Sequence, residues 1–149
     1  MDICHSAFFS SLKSFERDGL SSDGYMFLST LFGESAVKSL KDVLSKEQIT
    51  LNISKFSGRE LWTITSSKNT HYIWINGCRF GCSCKSFYYS TIKDGKTPFC
   101  KHILAAYVCS ALKSFSNDHV FQICELDNEE FQILLEKSAN TIDLGYEKS

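Results

Sequence analysis

Ala7, Phe8, Leu12 and Phe15 recur at the spacing of one helical face, and the run predicts an amphipathic helix closed by Gly19 and a turn at Ser21-Ser22-Asp23-Gly24. Leu28, Leu31 and Phe32 mark a second, short helix with Gly33 as its stop. Ala36, Val37, Leu40, Val43 and Leu44 mark a third, and each of these helices has one apolar stripe to bury. At Gln48 the period drops to two. Ile49, Leu51 and Ile53 alternate with polar residues, a turn at Ser57-Gly58 follows, and Leu61 to Thr65 forms a second strand. After the polar break Ser66 to Asn69 comes Tyr72-Ile73-Trp74-Ile75. Asn76-Gly77 then suits a two-residue hairpin turn, so that the last strand runs from Cys78 toward Cys82.

Beyond that hairpin, Ser86 to Ile92 predicts a short helix broken by Asp94-Gly95. Thr97 as N-cap with Pro98 at the first helical position predicts a longer helix reaching about Phe115, with Cys100 and His102 in its first turn. Asp127-Asn128-Glu129-Glu130 has the form of a capping box ahead of Phe131, Leu134 and Leu135, followed by a fraying tail beyond Asn140. These elements give an α+β chain: a small antiparallel sheet of hairpins flanked by N-terminal and C-terminal helices. A length of 149 residues suits one domain, with helices over 1–47, sheet and finger over 48–115, and a C-terminal helix and tail over 116–149.

Composition narrows the class. At 43% hydrophobic and 22% charged residues, with 12 Phe, 6 Tyr and 2 Trp, the chain can build a core, and disorder is not expected. The longest apolar run, Ile103 to Cys109, is far shorter than the roughly 20 residues that span a bilayer. Met1-Asp2-Ile3-Cys4-His5 does not resemble a secretory leader, so a reducing intracellular compartment is expected. In such a compartment the 7 cysteines are better read as metal ligands or packing residues than as disulfides.

Spacing selects among them. A structural zinc site takes four sulfur or nitrogen ligands, commonly as two close pairs. The chain offers Cys82-Ser83-Cys84, where a strand ends, and Cys100-Lys101-His102, where a helix begins. Alternating strand geometry points Cys82 and Cys84 the same way. Positions i and i+2 of a helix do not share a face, so Cys100 and His102 require a distorted first turn or ligands reaching around its end. Cys4, Cys109 and Cys124 have no partner at ligand spacing and are read as packing residues. Cys78, four residues before Cys82, is close enough in sequence that it could compete as a ligand. His71 and His119 are read as structural or surface groups unconnected with the site.

Charge is concentrated around the same pairs. Residues 79–113 carry 6 basic and 1 acidic side chains, against 2 and 8 over residues 114–149. Arg79, Lys85, Lys93, Lys96 and Lys101 are therefore candidate contacts to nucleic acid or to an acidic protein surface, and Phe80, Phe87, Tyr88, Tyr89 and Phe99 are interleaved with them. The helix from Ile103 is apolar on every face, so either the fold or a partner must cover it. Catalysis is not expected. Four strong ligands leave a metal no open position, and no glycine-rich phosphate loop is present.

The pattern Cys82-x-Cys84, fifteen residues, Cys100-x-His102 resembles the SWIM zinc finger. Ala105, three residues after His102, extends the likeness to the small SWIM-domain subunits of Shu-type recombination complexes. The order of helix stop, strands, hairpins, zinc pairs and Ile103-Leu104-Ala105 helix is similar to theirs over most of the chain. That resemblance implies a zinc-binding adaptor in the nucleus. It implies a RecA-class recombinase paralogue as partner, and promotion of recombinase filaments in DNA repair and meiotic recombination. Direct binding of single-stranded DNA is the alternative.

Overall fold

A computed structural model describes residues 3–114 and 120–147; the predicted helix end at Phe115 and His119 lie outside the described residues. Among the described residues, five α-helices and five strands follow in the order α1 (Ile3–Asp18), α2 (Ser22–Phe32), α3 (Glu34–Lys46), β1 (Gln48–Ser54), β2 (Glu60–Thr65), β3 (Thr70–Asn76), β4 (Arg79–Cys82), α4 (Lys101–Ala111), β5 (Gln122–Leu126) and α5 (Asn128–Glu147). A π-helical turn, Phe87–Lys93, separates β4 from α4, and a 3₁₀ turn, Leu112–Ser114, ends α4. The class is α+β, as expected.

The sheet runs β4-β3-β2-β1-β5. Its first four strands form an antiparallel meander, while β5 lies parallel to β1, so the sheet is mixed. Strand alternation divides its two faces. Ile49, Leu51, Trp62, Ile64 and Ile73 join the main core with α1 to α4, whereas Leu61 and Tyr72 face Phe131 of α5 in a smaller one. Asn52, buried on β1, donates from Nδ2 to the Leu61 carbonyl at 3.0 Å and to Thr63 Oγ1 at 3.1 Å, so its amide costs little there.

At the centre of the main core is α4. Every residue from His102 to Cys109 is buried, and Ala111 is buried as well. The chain's own α1, α3 and β3 pack around it, so the apolar helix is covered by its own fold rather than left for a partner. An aromatic cluster of Phe8, Phe32, Phe80, Phe99 and Tyr107 closes one side, with Phe8 and Phe99 ring centroids 4.7 Å apart. Full burial of a side chain such as Phe8 contributes about 1.5–3 kcal/mol.

Several boundaries differ from expectation for identifiable reasons. Ser22-Asp23-Gly24 opens α2 rather than forming a loop: Ser21 is the N-cap, its Oγ accepting from Gly24 N at 3.2 Å. Gly24 is buried against the Phe15 ring. The hairpin loop is Gly77-Cys78, one residue later than Asn76-Gly77, because Asn76 still pairs with Arg79 and Gly77 supplies the left-handed turn position at φ 59°. Thr97 and Pro98 precede α4 without capping it. The predicted tail beyond Asn140 is instead the end of α5, whose capping box does form. No helix among the described residues is long and apolar enough to cross a membrane.

Candidate metal centre

Both ligand pairs are placed by backbone geometry that their short spacing requires. Cys82 is the last residue of β4, opposite Ile73. The chain past it stays tied to β3, with Ser83 N donating to the Tyr72 carbonyl at 3.0 Å and Tyr72 N donating to Ser83 Oγ at 2.9 Å. This carries the tie to β3 one residue past β4, and the chain then bends at Cys84, whose sulfur falls beside that of Cys82. Cys100 is extended (φ −83°, ψ 167°) and serves as the N-cap residue of α4 rather than lying within its first turn. With Cys100 outside the helix and His102 its second residue, the i, i+2 restriction no longer applies.

Together these elements bring the sulfurs of Cys82, Cys84 and Cys100 and an imidazole nitrogen of His102 within 4.8 Å of one another, and all four residues are buried. With zinc–sulfur bonds of about 2.3 Å, tetrahedral ligand atoms are roughly 3.8 Å apart, so an ion would need to draw them in by about an ångström at most. Backbone amides already address the sulfurs. Cys84 N donates to Cys82 Sγ at 3.5 Å, Phe87 N donates to Cys84 Sγ at 3.3 Å, and the Ile103 amide favours the Cys100 thiolate. His102 Nδ1 is buried with no hydrogen-bond partner, an orphan that a metal ion would satisfy.

Three sulfurs this close cannot share negative charge without a cation. Hydrogen bonds from Cys100 and then Cys82 hold Cys84 far below the usual thiol range, against the effect of burial. Cys82 is driven far above it by bonding to Cys100, then to Cys84, and by burial. For Cys100 the bond with Cys82 lowers the value, but the bond with Cys84 and burial outweigh it, leaving the thiol pushed up to about 12. Without a cation the three sulfurs therefore do not all favour the thiolate form. A divalent cation held by Cys82, Cys84, Cys100 and His102 would favour the thiolate form of all three cysteines. The cluster can therefore hold a metal ion, and its donor set suits zinc.

Other candidates fall elsewhere. Cys78 is exposed in the β3–β4 turn and outside the cluster, so it does not compete as a ligand. Cys109 is a packing residue as expected, but Cys124 is exposed on the edge strand β5. The side chain of Cys4 lies outside those described. His71, read from sequence as unconnected with the site, stacks on His102 with ring centroids 4.3 Å apart. Its position on β3 is brought beside α4 only by tertiary packing, which no local spacing signals. Glu47, at the end of α3, was missed for the same reason: its Oε2 lies 4.0 Å from His102 Nε2. Ala105 is fully buried in α4, where a larger side chain has no room.

Arg79, Lys85, Lys93, Lys96 and Lys101 are all exposed. The aromatics between them are mostly committed: Phe87 and Phe99 are buried, and Phe80 stacks on Phe99 at 4.8 Å.

Comparison with known proteins agrees with the SWIM-type reading. The chain is 34% identical over 93 residues to mouse Zinc finger SWIM domain-containing protein 7, covering 62% of this chain and 59% of that protein. The human protein of the same name is also 34% identical over 93 residues, with 64% of its length covered, and the zebrafish protein is 26% identical over 82 residues. These are homologues, and the match spans about three fifths of the mouse and human proteins' length. The Cys/His cluster fits a zinc finger of the kind their names describe. No protein-family model matches the chain, and no solved structure matches it.

Proposed function

We propose that this chain is a non-catalytic zinc-binding adaptor that pairs with a RecA-class recombinase paralogue and promotes recombinase filament assembly during homologous recombination in the nucleus. The observation that carries the reading is the closed Cys82, Cys84, Cys100 and His102 cluster, buried between the end of β4 and the start of α4. Four protein ligands fill a tetrahedral zinc and leave no position for an activated water, which supports a structural role over a catalytic one. The similarity to SWIM-domain zinc-finger proteins supports the same role. Bound zinc would hold the β3–β4 hairpin to α4, the helix on which the core is assembled.

The test is purification of the tagged protein from its own cells, with identification of stoichiometric partners. A RecA-class protein at one copy per chain is expected, together with its loss from the Cys100→Ser variant. Recovery of the chain without any such partner would contradict the adaptor reading.

A second reading, direct binding of single-stranded DNA, rests on the exposed cations Arg79, Lys85, Lys93, Lys96 and Lys101. Phosphate contacts by these side chains predict affinity that falls steeply with salt and drops for the Lys93→Glu, Lys96→Glu double variant. A salt-independent affinity, or none, rejects it. Burial of Phe87 and Phe99 removes two of the aromatics that base stacking would use, which favours the adaptor.

A further inference from the structure

A neutral imidazole has one acceptor nitrogen and one N–H; if the acceptor takes a metal, the N–H needs a partner of its own. Around His102 the candidate partner is already in place. Glu47 Oε2 is 4.0 Å from His102 Nε2, while Oε2 itself and His102 Nδ1 are both buried without a hydrogen-bond partner. An unpaired buried carboxylate oxygen is costly, so its position against the imidazole calls for a use. On the face of the same ring, His71 from β3 stacks at 4.3 Å with an interplanar angle of 34°, which restricts tilting of the His102 ring. What remains is the choice of which nitrogen faces the sulfurs.

We propose that Glu47 makes that choice: it accepts the Nε2 proton of His102, leaves the Nδ1 lone pair for the metal, and so is a positioning residue of the zinc site. This rests on the zinc reading above and adds to it a residue outside the Cys/His pattern. The 4.0 Å separation is longer than the roughly 2.7–3.2 Å of an N–H···O bond, so loading the metal should draw the carboxylate and imidazole together. The contact also ties the end of α3 to α4 through the metal site. Its backbone amide is not involved, since Glu47 N already donates to the Val43 carbonyl at 3.1 Å.

The experiment uses the full chain loaded with zinc and labelled with ¹⁵N at histidine. Long-range ¹H–¹⁵N spectra of wild type are expected to show His102 bound through Nδ1 with a protonated Nε2, and Glu47→Gln, whose amide oxygen still accepts, is expected to keep that pattern. Zinc competition against a chromophoric chelator is expected to give a 10–100-fold weaker affinity for Glu47→Ala and a change within about threefold for Glu47→Gln. A purely structural role for Glu47 would not move the tautomer signature. Ligation through Nε2, an unchanged affinity for Glu47→Ala, or equal losses for Ala and Gln would each overturn the proposal. Wild-type protein that takes up no zinc overturns both readings, whereas normal wild-type loading with a silent Glu47→Ala overturns only this one. If Glu47→Ala does not fold, the tautomer in wild type and Glu47→Gln still decides.

Discussion

The indole of Trp74 lies across Gly81, its cross-strand partner, so closely that a Cβ on residue 81 would sit 1.9 Å from Trp74 Cζ2. Gly81 precedes Cys82, so this contact seats the end of β4 and with it the first ligand pair. Gly81→Ala is expected to cost about 1–3 kcal/mol as the indole is forced off the strand. Denaturant unfolding of Gly81→Ala, alone and with Trp74→Ala, checks the cause: the glycine variant should cost much less once the indole is gone. Equal costs in both backgrounds would place the strain elsewhere.

Alkaline pH should weaken the fold through two buried acids. Burial pushes the Cys109 thiol from its ordinary 9.0 up to about 12, and desolvation followed by the proximity of Cys78 pushes the Tyr107 phenol from 10.0 up to about 12. Both folded values are raised. Their contribution is therefore complete below the unfolded values and is lost as pH climbs from about 9 toward about 12, because the unfolded chain ionises first. Zinc-saturated protein should show a urea midpoint that declines above about pH 9. Cys109→Ala should remove the earlier part of that decline, and an identical pH profile for the variant would reject the assignment.

The start of α5 is fixed by a reciprocal pair: Glu130 N donates to Asp127 Oδ1 at 2.8 Å, and Asp127 N donates to Glu130 Oε2 at 3.0 Å. Phe131 follows at once and is buried beneath the sheet against Leu61 and Tyr72. Asp127→Ala is expected to cost about 1 kcal/mol by urea unfolding, and Glu130→Gln, which keeps the acceptor, less. A larger loss for Glu130→Gln than for Asp127→Ala would show that charge rather than the cap matters.

Those elements whose signal is local were legible from sequence. Val37, Leu40 and Val43 of α3 recur at helical spacing and are buried as that spacing requires, and Ile49 and Leu51 of β1 alternate as a half-buried strand must. The four cluster residues were legible for a similar reason, since each pair is set by two residues of backbone. Three features were not. β5 is an edge strand whose residues Gln122 to Glu125 are exposed, so burial leaves no alternation to read. The N-cap of α4 shifted from Thr97 to Cys100 because the extended backbone at Cys100 is what lets Cys100 and His102 converge. His71 and Glu47 meet His102 from β3 and α3, across separations that only the packed core determines.

Zinc content per chain tests the central claim most directly. Protein purified without added metal should carry one zinc ion by elemental analysis. Cys82→Ser, Cys84→Ser, Cys100→Ser and His102→Ala should each lose it, while Cys78→Ser and Cys124→Ser keep it. Wild-type protein that is free of zinc, or full zinc retention in the Cys100→Ser variant, would contradict the account.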